Sequence, residues 1–276
     1  MISNDMKNII LHLGVHKTAT TYFQSRLCNS IPELAEAGVG YLELNETRKY
    51  ITSKIFGAFK VEGALEKILN DNEKILISDE NIIGGTEKIS SELIYPDTVS
   101  RLDFLINNIP AAVSEVHITI REPEDYLVSR YCEYLRHYRF MSVTEYFDSF
   151  NLTEFSWLPL IRAIEAIVGK RVTVTCFESI FDDENIYLQQ LCGVKVDFKE
   201  AANNSSIRRS KITHESYRVL ECLADHYPRH MTKKLMNLMD NNKQRSQKTP
   251  LKPFSSNLSS KLKENYRKDI LELGIV

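Results

Sequence analysis

The sequence predicts an α/β protein with three layers, in which a central parallel β-sheet carries helices on both faces. Two observations carry this prediction. Short apolar segments rich in β-branched residues, which read as buried strands, alternate with segments whose apolar residues recur every three or four positions, which read as helices. Such alternation packs as a parallel sheet, because each helix returns the chain to start the next strand in the same direction. A third observation bounds the size. The 276 residues suit one large α/β domain or two small ones, and a balance of 43% hydrophobic and 26% charged excludes a mostly disordered chain. We expect a single domain over 1–276.

The elements follow in order. Asn8 to Leu13 is a short apolar strand, and Gly14-Val15-His16-Lys17 reads as a turn. A helix starts near Thr18, with Phe23, Leu27 and Ile31 at spacings of four. Val39 to Leu42 is a second strand, while 45–60 is ambiguous. Leu65, Ile68 and Leu69 mark a helix leading into the buried strand Lys74 to Ser78. Residues 84–98 read as a loop with a helical piece. Ser100 is expected to cap the next helix, with Asp103 completing a capping box. Val116 to Ile120 is a strand, and Pro123 suits the first turn of the helix after it, with Glu122, Glu124 and Asp125 at its positive end. Trp157 to Val168 is a helix stopped by Gly169, and Arg171 to Phe177 is the last clear strand. Residues 229–252 hold seven Lys/Arg against one Asp; they read as a solvated, mobile loop or, alternatively, as a lid or anion-binding edge. An amphipathic helix from Leu258 to Leu273, ended by Gly274, closes the chain.

Composition excludes several function classes. A net charge of −2 gives no global signature of a nucleic-acid binder. Five scattered cysteines with no Cys-x-x-Cys pair argue against a disulfide scaffold or zinc ribbon and fit a reducing compartment. The first apolar run, Ile9 to Val15, is broken by His12, and no stretch approaches the ~20 apolar residues of a membrane helix. We expect a cytoplasmic protein without stable membrane insertion.

The most informative segment is His12-Leu13-Gly14-Val15-His16-Lys17-Thr18-Ala19-Thr20-Thr21. A strand runs into a glycine turn, a lysine, then hydroxyls at a helix start. Backbone N–H groups at a helix N-terminus carry positive partial charge and bind phosphate. Lys17 adds a full charge, and Thr18, Thr20 and Thr21 carry hydroxyl donors. This is not a Walker A loop, since no second glycine precedes the lysine and Ala19 stands beyond it.

Gly14 to Thr21 resembles the 5′-phosphosulfate loop, Gly-x-x-Lys-Thr-Gly/Ala-Thr-Thr, of sulfotransferases that use 3′-phosphoadenosine-5′-phosphosulfate (PAPS). His12 to Thr18 is similar to the His-x-Gly-x-x-Lys-Thr of bacterial members, and Gln24 and Leu34…Gly38-Val39-Gly40-Tyr41 also look like theirs. A second signature lies downstream. Arg121 follows a strand, Ser129 comes eight residues later, and Arg121-Glu122-Pro123-Glu124-Asp125 resembles the family's Arg-x-Pro-x-Asp. Arginine at a strand's carboxyl end faces the ligand crevice of an open α/β sheet, and its planar fork suits phosphate. The resemblance implies a P-loop-like sulfotransferase fold. Gly14, Lys17, Thr18, Ala19, Thr20 and Thr21 would hold the 5′-phosphosulfate, and Arg121 and Ser129 the 3′-phosphate. It touches 9–42, 74–82, 115–131, 172–179, and in part 203–210 and 254–274. The Arg-Lys-Gly stretch of vertebrate cytosolic members is missing.

Transfer to an alcohol or amine needs a base. Ser78-Asp79-Glu80 ends a predicted strand where the family places a His or Glu. Glu80 is the first candidate, with Asp79 and His16 as alternatives. Lys17 would stabilise charge as the bond to sulfur breaks. His12, inside the strand, reads as a hydrogen-bonded core histidine. Phe177 reads as an adenine contact or a core aromatic. Arg208 and Arg209, in a polar stretch from Asn203 to Lys211, are candidates for further phosphate contacts, with a plain basic loop as the alternative. The aromatic and basic residues between Tyr126 and Arg139 suit a sugar or anionic glycan beside the site, or simply pack their own helix. The implied reaction moves a sulfuryl group from PAPS to a hydroxyl or amine of a glycan, glycolipid or small metabolite, releasing 3′-phosphoadenosine-5′-phosphate (PAP), with no metal required. Its alternatives are a P-loop nucleotide-dependent kinase and a non-catalytic nucleotide-binding protein of the same fold.

Overall fold

The computed structural model of the protein describes residues 7–202, 212–241 and 249–275. Five strands form one parallel sheet in the order β2-β3-β1-β4-β5: β1 (Asn8–His12), β2 (Val39–Leu42), β3 (Lys74–Ser78), β4 (Ala112–Ile120) and β5 (Thr173–Cys176). Strand β1 lies at the centre, with Leu11 level with Ile77 of β3 and Val116 of β4.

Side chains alternate across the strands and divide the core in two. Ile9, Leu11, Ile75, Ile77, Val116 and Ile118 face one side. There they meet α4 (Gly63–Asp71), α5 (Thr98–Asn108), α6 (Pro123–His137), α8 (Leu158–Val168) and α12 (Ser256–Leu273). Ile10 and Leu76 face the other side, against α1 (Thr20–Asn29), α2 (Ile31–Glu36) and α9 (Glu184–Cys192). Most of these strand residues are fully buried, each aliphatic contributing about 1.5–3 kcal/mol. The three-layer α/β/α architecture expected from the alternation is present.

Several local expectations are corrected. The ambiguous 45–60 stretch contains α3 (Leu44–Tyr50). Residues 83–97 hold no helical piece; the chain makes only a short 3-10 turn before them, Glu80–Ile82. Ser100 does not cap α5, which starts two residues earlier; its hydroxyl donates to Asp97 O inside the first turn. No side chain caps that end; the Thr98 hydroxyl donates back to Tyr95 O and Ile83 O of the preceding turn. A four-residue helix, α7 (Val143–Tyr146), carries the expected kind of capping box at Ser142 and Glu145. The alternation also gave no sign of α9, α10 (His214–Ala224) or α11 (Arg229–Asn241). The last occupies the first half of the segment read as a basic loop, and 242–248 lie outside the described residues. Pro123 opens α6, and Gly169 and Gly274 end α8 and α12 in left-handed conformations, as expected. Among the described residues no helix is long and apolar enough to cross a membrane.

Candidate functional site

The carboxyl ends of β3, β1 and β4 are neighbours, and they open on a cleft of about 1130 Å³. A crevice at the strand ends, where successive crossovers part to opposite sides of β1, is where open α/β sheets bind ligands.

The loop after β1 builds the floor. Leu13 N donates to His117 O and Val15 N to Thr119 O, so the chain runs on beside β4 before it turns. Gly14 is tightly packed: a Cβ there would lie 3.2 Å from Thr20 Oγ1 and 3.3 Å from His12 Nε2, so these neighbours would have to shift. Lys17 and Ala19 then adopt left-handed backbone, with φ of 73° and 58°. Non-glycine residues rarely do so, and alternating left- and right-handed residues turn successive N–H groups toward one point, a concavity suited to an anion. No side chain caps the N-terminus of α1, so its positive end stays turned to the cleft. Lys17, Ala19, Thr20 and Thr21 line the cleft, whereas Gly14 and Thr18 lie beneath the loop. The buried Thr18 hydroxyl donates to Val15 O at 2.7 Å.

Arg121, just past β4, reaches back to this loop. Its Nη1 donates to Lys17 O (2.9 Å), its Nη2 contacts Asp125 Oδ2 (3.2 Å), and its guanidinium lies 4.5 Å over the Phe177 ring. The Arg121 Nε is buried without an acceptor. Trp157 Nε1 donates to Arg121 O, and the buried Asp269 of α12 accepts from Trp157 N and Ser156 Oγ, so the last helix braces the end of β4. Ser129 lies on the cleft wall of α6. One and two turns farther along the same helix face come Glu133 and His137. Glu133 Oε2 lies 3.3 Å from Lys17 Nζ, and Glu133 Oε1 lies 2.9 Å from His137 Nε2.

The third strand end supplies carboxylates. Asp79 is completely buried and structural: it accepts from Thr52 Oγ1 (2.7 Å), from Asn81 N and Nδ2 (both 3.1 Å), and pairs with Arg48 (3.3 Å). Glu80 lines the cleft. Its Oε1 meets Arg48 Nη2 at 3.2 Å, while its Oε2 is buried without a hydrogen-bond partner. Burial first, and then the Asp79 carboxylate, raise the Glu80 carboxyl above the ordinary range, with Arg48 opposing. His16 is buried. Its Nδ1 lies 2.8 Å from Tyr95 Oη and its Nε2 3.2 Å from Asn81 Oδ1. Burial, and after it the Arg130 guanidinium, push this imidazole down to about 4, so it is neutral near pH 7. His12 is the core histidine expected, between Ser78 Oγ (2.8 Å) and Tyr187 Oη (3.1 Å).

The structure thus brings Lys17, Ala19, Thr20, Thr21, His16, Glu80, Arg121 and Ser129 to one cleft, together with Phe177. Arg208 and Arg209 lie outside the described residues. Sequence reasoning passed over Arg48, Tyr95 and Glu133, and it grouped Arg130 with the aromatic and basic residues beside the site, whereas Arg130 is fully buried and does not line the cleft. The spacing Ser129-Glu133-His137 was a usable signal for one of these; nothing local marked Arg48, which stands in a stretch without clear periodicity. Among the described residues no group of three or more His, Cys, Asp or Glu is placed to hold a metal ion.

No protein-family model and no curated protein matches the chain. Among solved structures, a sulfotransferase from Alicyclobacillus acidocaldarius is similar to it over 83% of this chain and 95% of that one, with 15% sequence identity and a TM-score of 0.41.

Proposed function

We propose that the protein is a sulfotransferase that takes a sulfuryl group from PAPS and passes it to a hydroxyl or amine of a glycan, glycolipid or small metabolite. One observation carries the reading: the left-handed loop bearing Lys17 and the Arg121–Ser129 pair, distant in sequence, line the same cleft, joined by the Arg121–Lys17 hydrogen bond. Phosphate chemistry is expected at both, since one offers helix-terminal N–H groups with a lysine and the other a guanidinium with a buried donor nitrogen to spare. A cytoplasmic setting fits the scattered cysteines.

When bound, the donor supplies a sulfuryl group activated by its link to phosphate. The loop amides with Thr20 and Thr21 would hold the 5′-phosphate, and Arg121 with Ser129 the 3′-phosphate. Lys17 would exchange its Glu133 partner for the oxygen on which negative charge grows, stabilising that charge. Glu80, which lines the cleft beside Arg48, is placed to take the acceptor's proton. Both ring nitrogens of His16 are engaged within the protein, which favours an orienting role for it over that of base. The rest is positioning.

The test is calorimetric titration with PAP, with ATP and magnesium in parallel, on the parent protein and Arg121→Ala. We expect PAP to bind, and Arg121→Ala to weaken it at least about tenfold, the worth of one charge-assisted hydrogen bond. Magnesium-dependent ATP binding with no response to the 3′-phosphate would overturn the reading in favour of a phosphotransferase.

A further inference from the structure

Arg130 is a fully buried cation on α6, one residue past Ser129. Its nitrogens face only neutral oxygens: Nε donates to Tyr146 Oη (3.1 Å), Nη1 to Tyr126 Oη (3.1 Å), and Nη2 to Gly85 O (3.2 Å) and Lys88 O (2.8 Å). Its guanidinium carbon lies 4.6 Å over the Tyr95 ring. No ion pair with a carboxylate is formed by Arg130 among the described residues. A buried guanidinium without a carboxylate is costly, and structural arginines usually have one.

The Tyr95 hydroxyl accepts from His16 N at 3.0 Å and lies 2.8 Å from His16 Nδ1. On the far side of the ring, His16 Nε2 meets Asn81 Oδ1, and the Asn81 amide nitrogen donates to Asp79 Oδ1. One set of proton positions satisfies every link: Asn81 gives its N–H to Asp79, His16 gives Nε2–H to Asn81, and Tyr95 gives its O–H to His16 Nδ1. The chain therefore runs from Arg130, through Tyr95 and His16 on the phosphate loop, to Asn81, the residue after Glu80.

We propose that Arg130 and Tyr95 are positioning residues: through His16 they fix the phosphate loop, and with it Lys17, against the turn that carries Glu80. This deepens the sulfotransferase reading and rests on it for its consequence in catalysis, but not for its geometry. The other charged groups facing His16 are Asp79 and Glu133, which oppose Arg130 in their effect on its proton affinity. The buried cation adds positive potential beneath an anion-binding floor without spending a donor on the ligand.

Tyr95→Phe removes a single oxygen and keeps the ring under Arg130, so it isolates the link. Two measurements decide. Nitrogen-15 histidine spectra, with His16 assigned by His16→Asn, should show one neutral Nε2–H tautomer in the parent protein near pH 7 and a tautomer mixture in Tyr95→Phe. PAP affinity should fall about tenfold in Tyr95→Phe, the loss expected for one hydrogen bond. Arg130→Lys, which keeps the charge but not the fork, should behave alike. An unchanged His16 tautomer in Tyr95→Phe overturns the inference, whether or not PAP binds. A parent protein that ignores PAP but shows the tautomer change sinks the sulfotransferase reading and leaves the positioning network standing.

Discussion

Glu80 and Asp79 are adjacent carboxylates at the end of one strand, and packing gives them different work. Asp79 is sealed beneath Thr52, Arg48 and Asn81, where it fixes the turn. Glu80 keeps one buried oxygen unpartnered at the cleft. The buried position and the Asp79 charge raise its proton affinity, and Arg48 restrains the rise. Two outcomes follow. Glu80→Gln should abolish sulfuryl transfer, a loss of at least about a hundredfold for a general base, while PAP binding in the calorimeter stays within about threefold. Since a base works deprotonated, the rate should fall as pH drops through its raised pKa, so the acid limb lies above the ordinary glutamate value of about 4.3. Arg48→Met removes the restraining charge and should move that limb upward, as read from the pH–rate profile. Lys17→Ala should remove turnover; an active variant would take the lysine out of the mechanism.

The first helix and the loop before it act as one element. Its N-terminus is open because the residue at the cap position is alanine, in a left-handed conformation that brings no capping oxygen. Left-handed backbone costs an L-residue about 1–2 kcal/mol, and a β-branched residue more. Ala19→Val should therefore destabilise the protein by about 2 kcal/mol in chemical denaturation and weaken PAP binding, whereas Ala19→Gly should stay within about 1 kcal/mol and keep it. Equal stability of the two variants would show that the φ of 58° at this position is not maintained in solution. On α6, the face carrying Ser129, Glu133 and His137 is the cleft wall, and Arg130, turned inward, meets the tyrosines. One helix thus presents a site face and a structural face, as a period of 3.6 allows.

At the scale of the whole molecule, two histidines couple the fold to pH. His12, at the end of the central strand, is held down to about 3 by burial and then by His117, and His16 to about 4. The unfolded chain protonates both near pH 6.5, well above either folded value. Unfolding therefore takes up protons, and stability falls as pH drops from about 6.5 toward those folded values. Between pH 6.5 and 4.5 the two together should remove about 5 kcal/mol. Denaturation midpoints measured across that range should fall steeply, and His12→Gln should flatten the slope. A slope unchanged by that substitution would mean His12 is not buried neutral in the folded protein.

The order of elements was legible in the sequence because strands buried on both faces read as unbroken apolar runs, and because Pro123, Gly169 and Gly274 punctuate helices through their own backbone preferences. The loop after β1 was legible for the same kind of reason. Glycine, lysine and hydroxyls at the junction of a strand and a helix have local consequences that need no distant partner. Arg48, Glu133 and Tyr95 were not legible as site residues, although a one-turn spacing hinted at Glu133, and Arg130 was read on the cleft face of its helix when it is turned inward. Each owes its role to a neighbour from another part of the chain: Arg48 to two carboxylates after β3, Glu133 to the loop lysine, and Tyr95 to a histidine 79 residues away. The choice between Asp79 and Glu80 was open in the sequence for the same reason. By itself the sequence determined the parallel sheet, the helices opened or ended by Pro123, Gly169 and Gly274, and the glycine-lysine-threonine turn after β1, since these follow from local backbone preference and apolar periodicity. Which carboxylate is sealed and which meets the cleft was decided only by tertiary packing, because burial and the charges around a group are properties of the folded chain.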